Sequence, residues 1–217
     1  MNARKFLDCE VKPRLRGISH LWASMVAVVI GVVLVALAPN KTARLAGTIY
    51  SVSLAAMFGA SALYHRSNWG PTVSQWLRRL DHAAIFIFIA GSYTPFCLLA
   101  LPAGNTLLTL AWVVAGLGIL QTLAWVHAPR ALRASIYLAM GWMVLPWISA
   151  LGHAIGWGGM AFVAAGGLCF TVGALIYAVR RPDPIPLVFG YHEVFHALVI
   201  AGCALQFVPV ARLVVTA

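Results

Sequence analysis

Acidic side chains are scarce: the 217-residue chain carries five Asp and Glu against fifteen Lys and Arg, and only 9% of its positions are charged. That leaves too little polar surface to clothe a water-soluble globule. Cysteine is equally thin. Cys9, Cys97, Cys169 and Cys203 stand singly, with no C-x-x-C pair and no disulfide framework, and read as small apolar fillers. The chain has no internal repeat and no low-complexity tract. What it has in abundance is hydrocarbon: 62% of its residues are hydrophobic, and the mean hydropathy is +0.89. Such a chain belongs in a bilayer.

Lipid offers no partner for backbone N–H and C=O groups, so a spanning segment must be a helix of ~20 apolar residues. Seven runs of that kind lie between polar breaks: His20 to Ala38, Leu45 to Tyr64, His82 to Leu101, Thr106 to Val126, Ala134 to Gly152, Gly158 to Val179 and His192 to Val210. The breaks, such as "RSNWGPTVSQWLRR", "HAIGWGG" and "RRPDPIPLVFGY", hold most of the Pro, Arg and Lys. The expected fold is all-α: a basic tail over 1–19 and one seven-helix membrane domain over 20–217, with no room for a separate soluble domain. Pro146 predicts a kink in the fifth helix. The first run also resembles a signal peptide, with its basic start and "ALA" at Ala36 to Ala38. It is longer than a ~7–15-residue signal core and reads as a retained helix.

Charge placement predicts orientation. With seven spans, the tail and the second, fourth and sixth loops share a side and hold Arg4, Lys5, Lys12, Arg14, Arg16, Arg66, Arg78, Arg79, Arg130, Arg133, Arg180 and Arg181. The opposite side holds Lys41, Arg44 and Arg212. Twelve against three puts the N-terminus in the cytoplasm and the C-terminus outside it. The same bias accounts for the net charge of +10. Because these cations are divided among membrane loops and form no aromatic-interleaved patch, they argue against nucleic acid as a partner. Anionic lipid headgroups are the expected partner of "RKFLDCEVKPRLR", Arg4 to Arg16. The oligomeric state is open.

Ionisable residues near the membrane core are costly unless they pair, bind a metal or face water. With Asp8 and Glu10 in the tail and Asp183 in a loop, only Asp81 and Glu193 remain, both at the cytoplasmic end of a span. The second helix ends in "SALYHR", which puts Ser61 and His65 on one face with Ser61 ~6 Å deeper. The last helix begins in "YHEVFH", with His192 first and His196 ~6 Å deeper on the same face. Ser61, His65, Asp81, His192 and His196 therefore share a depth. Three imidazoles suit Zn2+, since a catalytic zinc site commonly uses three protein ligands and keeps one position for water. Asp81 then serves as general base or water holder, and Ser61 orients a ligand or bonds the water or substrate.

Plainer readings stand beside these. A histidine at a helix end is often only hydrated, Asp81 can cap the third helix, and Ser61 can bond its own helix backbone. His20, His82, His127 and His153 have no i,i+4 partner and read as interfacial or structural. In H-E-x-x-H the Glu of a soluble protease acts as base. Glu193, however, is rotated ~100° from His192 and reads as an exposed helix-start acid favoured by the dipole. A protease reading also leaves His65 and Ser61 unexplained.

"SALYHR", "LDHAAIFIFIAGSYTPF", "YLAMGW" and "VFGYHEVFH" together resemble the hemolysin III family, the bacterial branch of the progestin and adipoQ receptor superfamily. The resemblance covers nearly the whole chain from the first helix onwards. It implies seven helices in a bacterial plasma membrane, with zinc near the cytoplasmic face on His65, His192 and His196, and Ser61 and Asp81 as the other polar site residues. It also implies one of two functions. The superfamily's alkaline ceramidase relatives suggest a zinc-dependent hydrolase of a lipid amide, fed from the inner leaflet. The hemolysin name suggests instead a membrane-damaging protein, one form of a non-enzymatic alternative (sensor, lipid-homeostasis regulator or pore former) in which zinc ties helices two, three and seven together.

Overall fold

A computed structural model describes residues 13–102, 104–185 and 187–217. Among them the chain is entirely helical, with no strand: α1 (Ile18–Leu37), α2 (Lys41–Arg66), α3 (Pro71–Leu99), α4 (Gly104–Ala124), α5 (Arg130–Gly141), α6 (Ile148–Val179) and α7 (Tyr191–Thr216). A 3₁₀ segment, Trp142–Trp147, joins α5 to α6. The basic tail as far as residue 12, with Cys9 and its expected headgroup contacts, lies outside the described residues.

Local chemistry explains the boundaries. Asn40 caps α2 by accepting from the Ala43 N–H at 2.9 Å. α3 starts at Pro71, whose missing N–H costs nothing at a helix's first position. It therefore begins eleven residues earlier than the expected His82, and much of the expected second loop is helix. Pro146 falls inside the 3₁₀ segment, which is the local distortion a proline imposes.

Six stretches are long and apolar enough to cross a membrane, not the expected seven. The fifth and sixth expected spans run together as one 50-residue stretch, Arg130–Val179, because most of "HAIGWGG" stays helical. Only Gly156 leaves the helix there, at φ 73 and ψ 160, a conformation that suits a residue without Cβ.

Within the apolar windows, 61% of α2 and 67% of α3 is buried, against 17–28% elsewhere, so these two helices form the centre of the bundle. α1 turns Trp22, Val26, Val29 and Val33 outward, as a lipid-facing helix must. α7 packs against α1, α2, α3 and α6, and its first turn meets the end of α2 through His192 and His65. Two contacts fix that end. Backbone bonds from Arg14 N to Leu187 O (3.1 Å) and Leu15 N to Val188 O (3.3 Å) tie the segment before α1 to the loop before α7. Gly17, at φ 77, then turns the chain into α1 so close to α2 that a Cβ there would sit 3.0 Å from His65 Cβ.

Candidate metal centre

Ser61, His65, Asp81, His192 and His196 are all brought to this end of the bundle, and none is more than 9% exposed. The end turns of α2 and α7 supply the histidines. One ligand atom from each of His65, His192 and His196 lies within 4.8 Å of the others. The Nε2 atoms of His65 and His192 are 3.2 Å apart, close to the ~3.3 Å that separates two nitrogens on a tetrahedral ion at ~2.0–2.1 Å. His196 Nδ1 is buried without a hydrogen-bond partner, an arrangement that folded proteins rarely leave unsatisfied. Three buried imidazoles with these spacings can hold a metal ion.

Asp81 lies beside the trio, its Oδ2 3.7 Å from His65 Nε2. It stands ten residues inside α3, so it is not the helix's N-cap. Ser61 shares a 2.8 Å hydrogen bond with His20 Nδ1. His20 in turn stacks almost parallel on His196, with ring centroids 3.8 Å apart and 9° between planes. Ser61 thus braces a ligand candidate through a fourth ring, and His20 belongs to the site. Spacing alone hid it: its partners are on α2 and α7, where no i,i+4 rule applies, although its place at the start of the first apolar run put it at the right depth.

Glu193 is not the exposed acid expected. It is 3% exposed, its Oε1 is ion-paired with Arg16, and its Oε2 accepts from the Gly190 N–H at 2.9 Å. One carboxylate oxygen fastens the start of α7 to the segment before α1, and the other caps α7's own first turn. The base position of a soluble H-E-x-x-H protease has a different use here. Behind Asp81, Arg133 is buried in α5 rather than lying in a loop. Its Nη1 donates to His82 Nδ1 at 3.1 Å and to Val126 O at 3.2 Å, while Tyr137 Oη donates to His82 O at 3.1 Å.

The histidines and Asp81 line one end of a cavity of about 500 Å³. Its walls continue through Ile85, Phe88, Phe96, Leu107 and Met160, so a polar end opens into an apolar trough. Fold and site together define a multi-pass helical membrane protein with a buried histidine cluster at the head of an apolar cavity. Residues 10–207 match the family model described as Haemolysin-III related, and the chain belongs to that family. Among its relatives are Hemolysin-3 of Bacillus cereus, 35% identical over 172 residues (77% of this chain, 74% of that one), and the Hemolysin-3 homolog of Bacillus subtilis (strain 168), 32% identical over 162 residues (74% and 73%). More distant is Heptahelical transmembrane protein ADIPOR2 of Oryza sativa subsp. japonica, 32% identical over 152 residues (61% and 65%).

Proposed function

We propose that this protein is a zinc-dependent hydrolase that cleaves a lipid amide at the cytoplasmic leaflet, with seven membrane crossings and its N-terminus inside. The observation that carries the reading is the position of three buried imidazoles and one carboxylate at the head of a cavity with apolar walls. His65, His192 and His196 would hold the ion, and imidazole donors suit zinc among the available metals. Bound there, zinc would supply Lewis-acid polarisation of a carbonyl and acidification of water.

The chain's own residues do the rest. The apolar trough takes the acyl chain and so holds its amide carbonyl at the polar end. Asp81 accepts the proton of the attacking water and returns it to the leaving nitrogen, yielding a fatty acid and an amine. His20 and Ser61 fix the His196 ring. The substrate arrives sideways from the inner leaflet, since its tail is already in lipid.

Two observations support seven crossings. A 50-residue helical stretch is ~75 Å long at 1.5 Å per residue, more than twice the ~30 Å hydrocarbon core. It can cross twice by reversing near Gly156. The rice relative is also named heptahelical. The side chosen for the N-terminus rests on the twelve-to-three distribution of cations.

The test is metal analysis of the purified protein and turnover on a panel of lipid amides, with Asp81→Asn beside wild type. Zinc retained by Asp81→Asn with most turnover lost is the expected result. Turnover that survives the substitution unchanged would remove Asp81 from the chemistry. The name Hemolysin-3 borne by the Bacillus relatives favours a second reading: a membrane-damaging protein whose metal ties α2 to α7. In that case no lipid on the panel is cleaved, and the protein releases dye from vesicles.

A further inference from the structure

Three arginines stand in the wall of this cavity, and among the described residues none makes a direct ion pair with a carboxylate. Arg78 of α3 and Arg130 and Arg133 of α5 line it together with Asp81 and the histidines. Among the described residues the ion pairs join Arg16 to Glu193 and His65 to Asp81, and neither involves these three. Arg133 is the strongest case. It is 2% exposed, its two acceptors are an imidazole nitrogen and a backbone carbonyl, and its buried Nε has no partner. Arg130 donates to the Tyr191 hydroxyl at 3.1 Å and lies 5.9 Å from the centroid of Tyr177, contacts that carry no negative charge.

The positive-inside bias does not account for this. Arginines that only set topology sit in water, as the exposed Arg66, Arg180 and Arg181 do. A guanidinium stripped of water is costly unless an anion compensates it. Guanidinium groups are also the usual partners of phosphate oxygens, through paired charge-assisted hydrogen bonds.

α3 arranges the cavity's chemistry in a line. Arg78 comes first, Asp81 follows ~4.5 Å further along the axis, and Phe96 lies ~22 Å beyond Asp81 at 1.5 Å per residue. Arg78 thus precedes the site carboxylate, Arg133 stands level with it through His82, and the apolar trough lies beyond, so cations flank the carboxylate at the end away from the trough as a head group flanks a lipid's linkage. A free phosphate would satisfy the arginines but leave the trough without an occupant.

We propose that the cavity takes a lipid with an anionic, phosphate-bearing head group, held by Arg78, Arg130 and Arg133 while its acyl chain fills the trough. The proposal rests on the lipid-amide reading and specifies the head group of that lipid. A neutral ceramide-like molecule is then a poor ligand, because it leaves the buried Arg133 guanidinium without an anion.

The experiment reads binding, so that it stands apart from turnover. Full-length protein in neutral detergent is titrated with a monoacylglycerol phosphate, with the uncharged monoacylglycerol of the same chain, and with inorganic phosphate. None of the three has an amide. The phosphorylated lipid should bind at least about tenfold more tightly than its neutral counterpart, the weight of a charge-assisted hydrogen bond. Arg130→Gln and Arg133→Gln should abolish that preference. Arg79→Gln should keep it, since Arg79 lies outside the cavity over the Trp76 ring. If buried Arg133→Gln fails to fold, half-buried Arg130→Gln carries the test. Equal binding of the two lipids overturns the proposal, as does inorganic phosphate binding as tightly as the lipid. Cleavage of neutral and phosphorylated lipid amides at one rate would sink the head-group assignment and leave the hydrolase standing. Selective binding without cleavage of any amide would do the reverse.

Discussion

The Arg16–Glu193 pair offers a test of what the H-E-x-x-H acid does in this fold. Glu193 is 3% exposed, whereas the Arg16 side chain retains 17% of its surface. Arg16→Met strands a buried carboxylate, and removing one partner of a buried pair costs about 3–5 kcal/mol because the other charge is left uncompensated. Glu193→Gln is milder for two reasons. The amide oxygen still accepts from the Gly190 N–H, as Gln does in capping boxes, and the freed guanidinium can reach water, so the loss should be about 1 kcal/mol. Unfolding by SDS in mixed micelles should therefore rank wild type above Glu193→Gln above Arg16→Met. The double variant should lie closer to Glu193→Gln than the sum of the two losses, since it buries no lone charge. Bound metal and any turnover should survive Glu193→Gln. If that variant keeps full stability but loses turnover, Glu193 is a chemical base and the fastening role assigned to it is wrong.

The metal gives a second prediction: close to one zinc per chain, most of it released by His192→Ala or His196→Ala and largely kept by His20→Ala, whose ring braces His196 without belonging to the trio. Stoichiometric zinc in a triple Ala variant of His65, His192 and His196 would eliminate the site. Topology gives a third. Reporters after Ala217 and at Gly156 should read as extracytoplasmic, and one in the loop over 181–190 as cytoplasmic; a cytoplasmic signal at Gly156 would mean that Arg130–Val179 does not cross twice. The Tyr137 hydroxyl bonded to His82 O gives a fourth, in which Tyr137→Phe loosens the α3–α5 contact by about 1 kcal/mol and leaves zinc content unchanged. Zinc loss there would tie α5 to the metal ligands directly.

Much of the site was legible because it follows helical periodicity. S-x-x-x-H and H-x-x-x-H each place two side chains on one face, and hydropathy fixes the depth at which each helix presents them. The sequence features that misled are those that depend on contacts between helices. Glu193 looked exposed because nothing in "YHEVFH" points to Arg16, which meets it only once residues 14–15 pair with 187–188. Arg133 looked like a loop cation because "HAPRALR" is polar, yet α5 turns it inward to His82. The fifth and sixth spans merged because Trp, Ile and Ala in "HAIGWGG" sustain helix on both sides, and a single glycine dihedral carries the interruption.

The charged residues that misled belong with the histidines in one physical arrangement. A site buried just inside a leaflet must hold several ionisable groups out of water, and each needs a partner supplied by another helix or by a ligand. Glu193 has Arg16, and Asp81 lies within reach of His65. Among the described residues Arg78, Arg130 and Arg133 make no direct ion pair, and Asp81 is the carboxylate that shares their cavity. Among the described residues Arg133 is the buried arginine, and its contacts are an imidazole nitrogen and a backbone carbonyl rather than a carboxylate. In the lipid proposed for this cavity, an anionic head group would be the partner that Arg133 lacks from the described side chains.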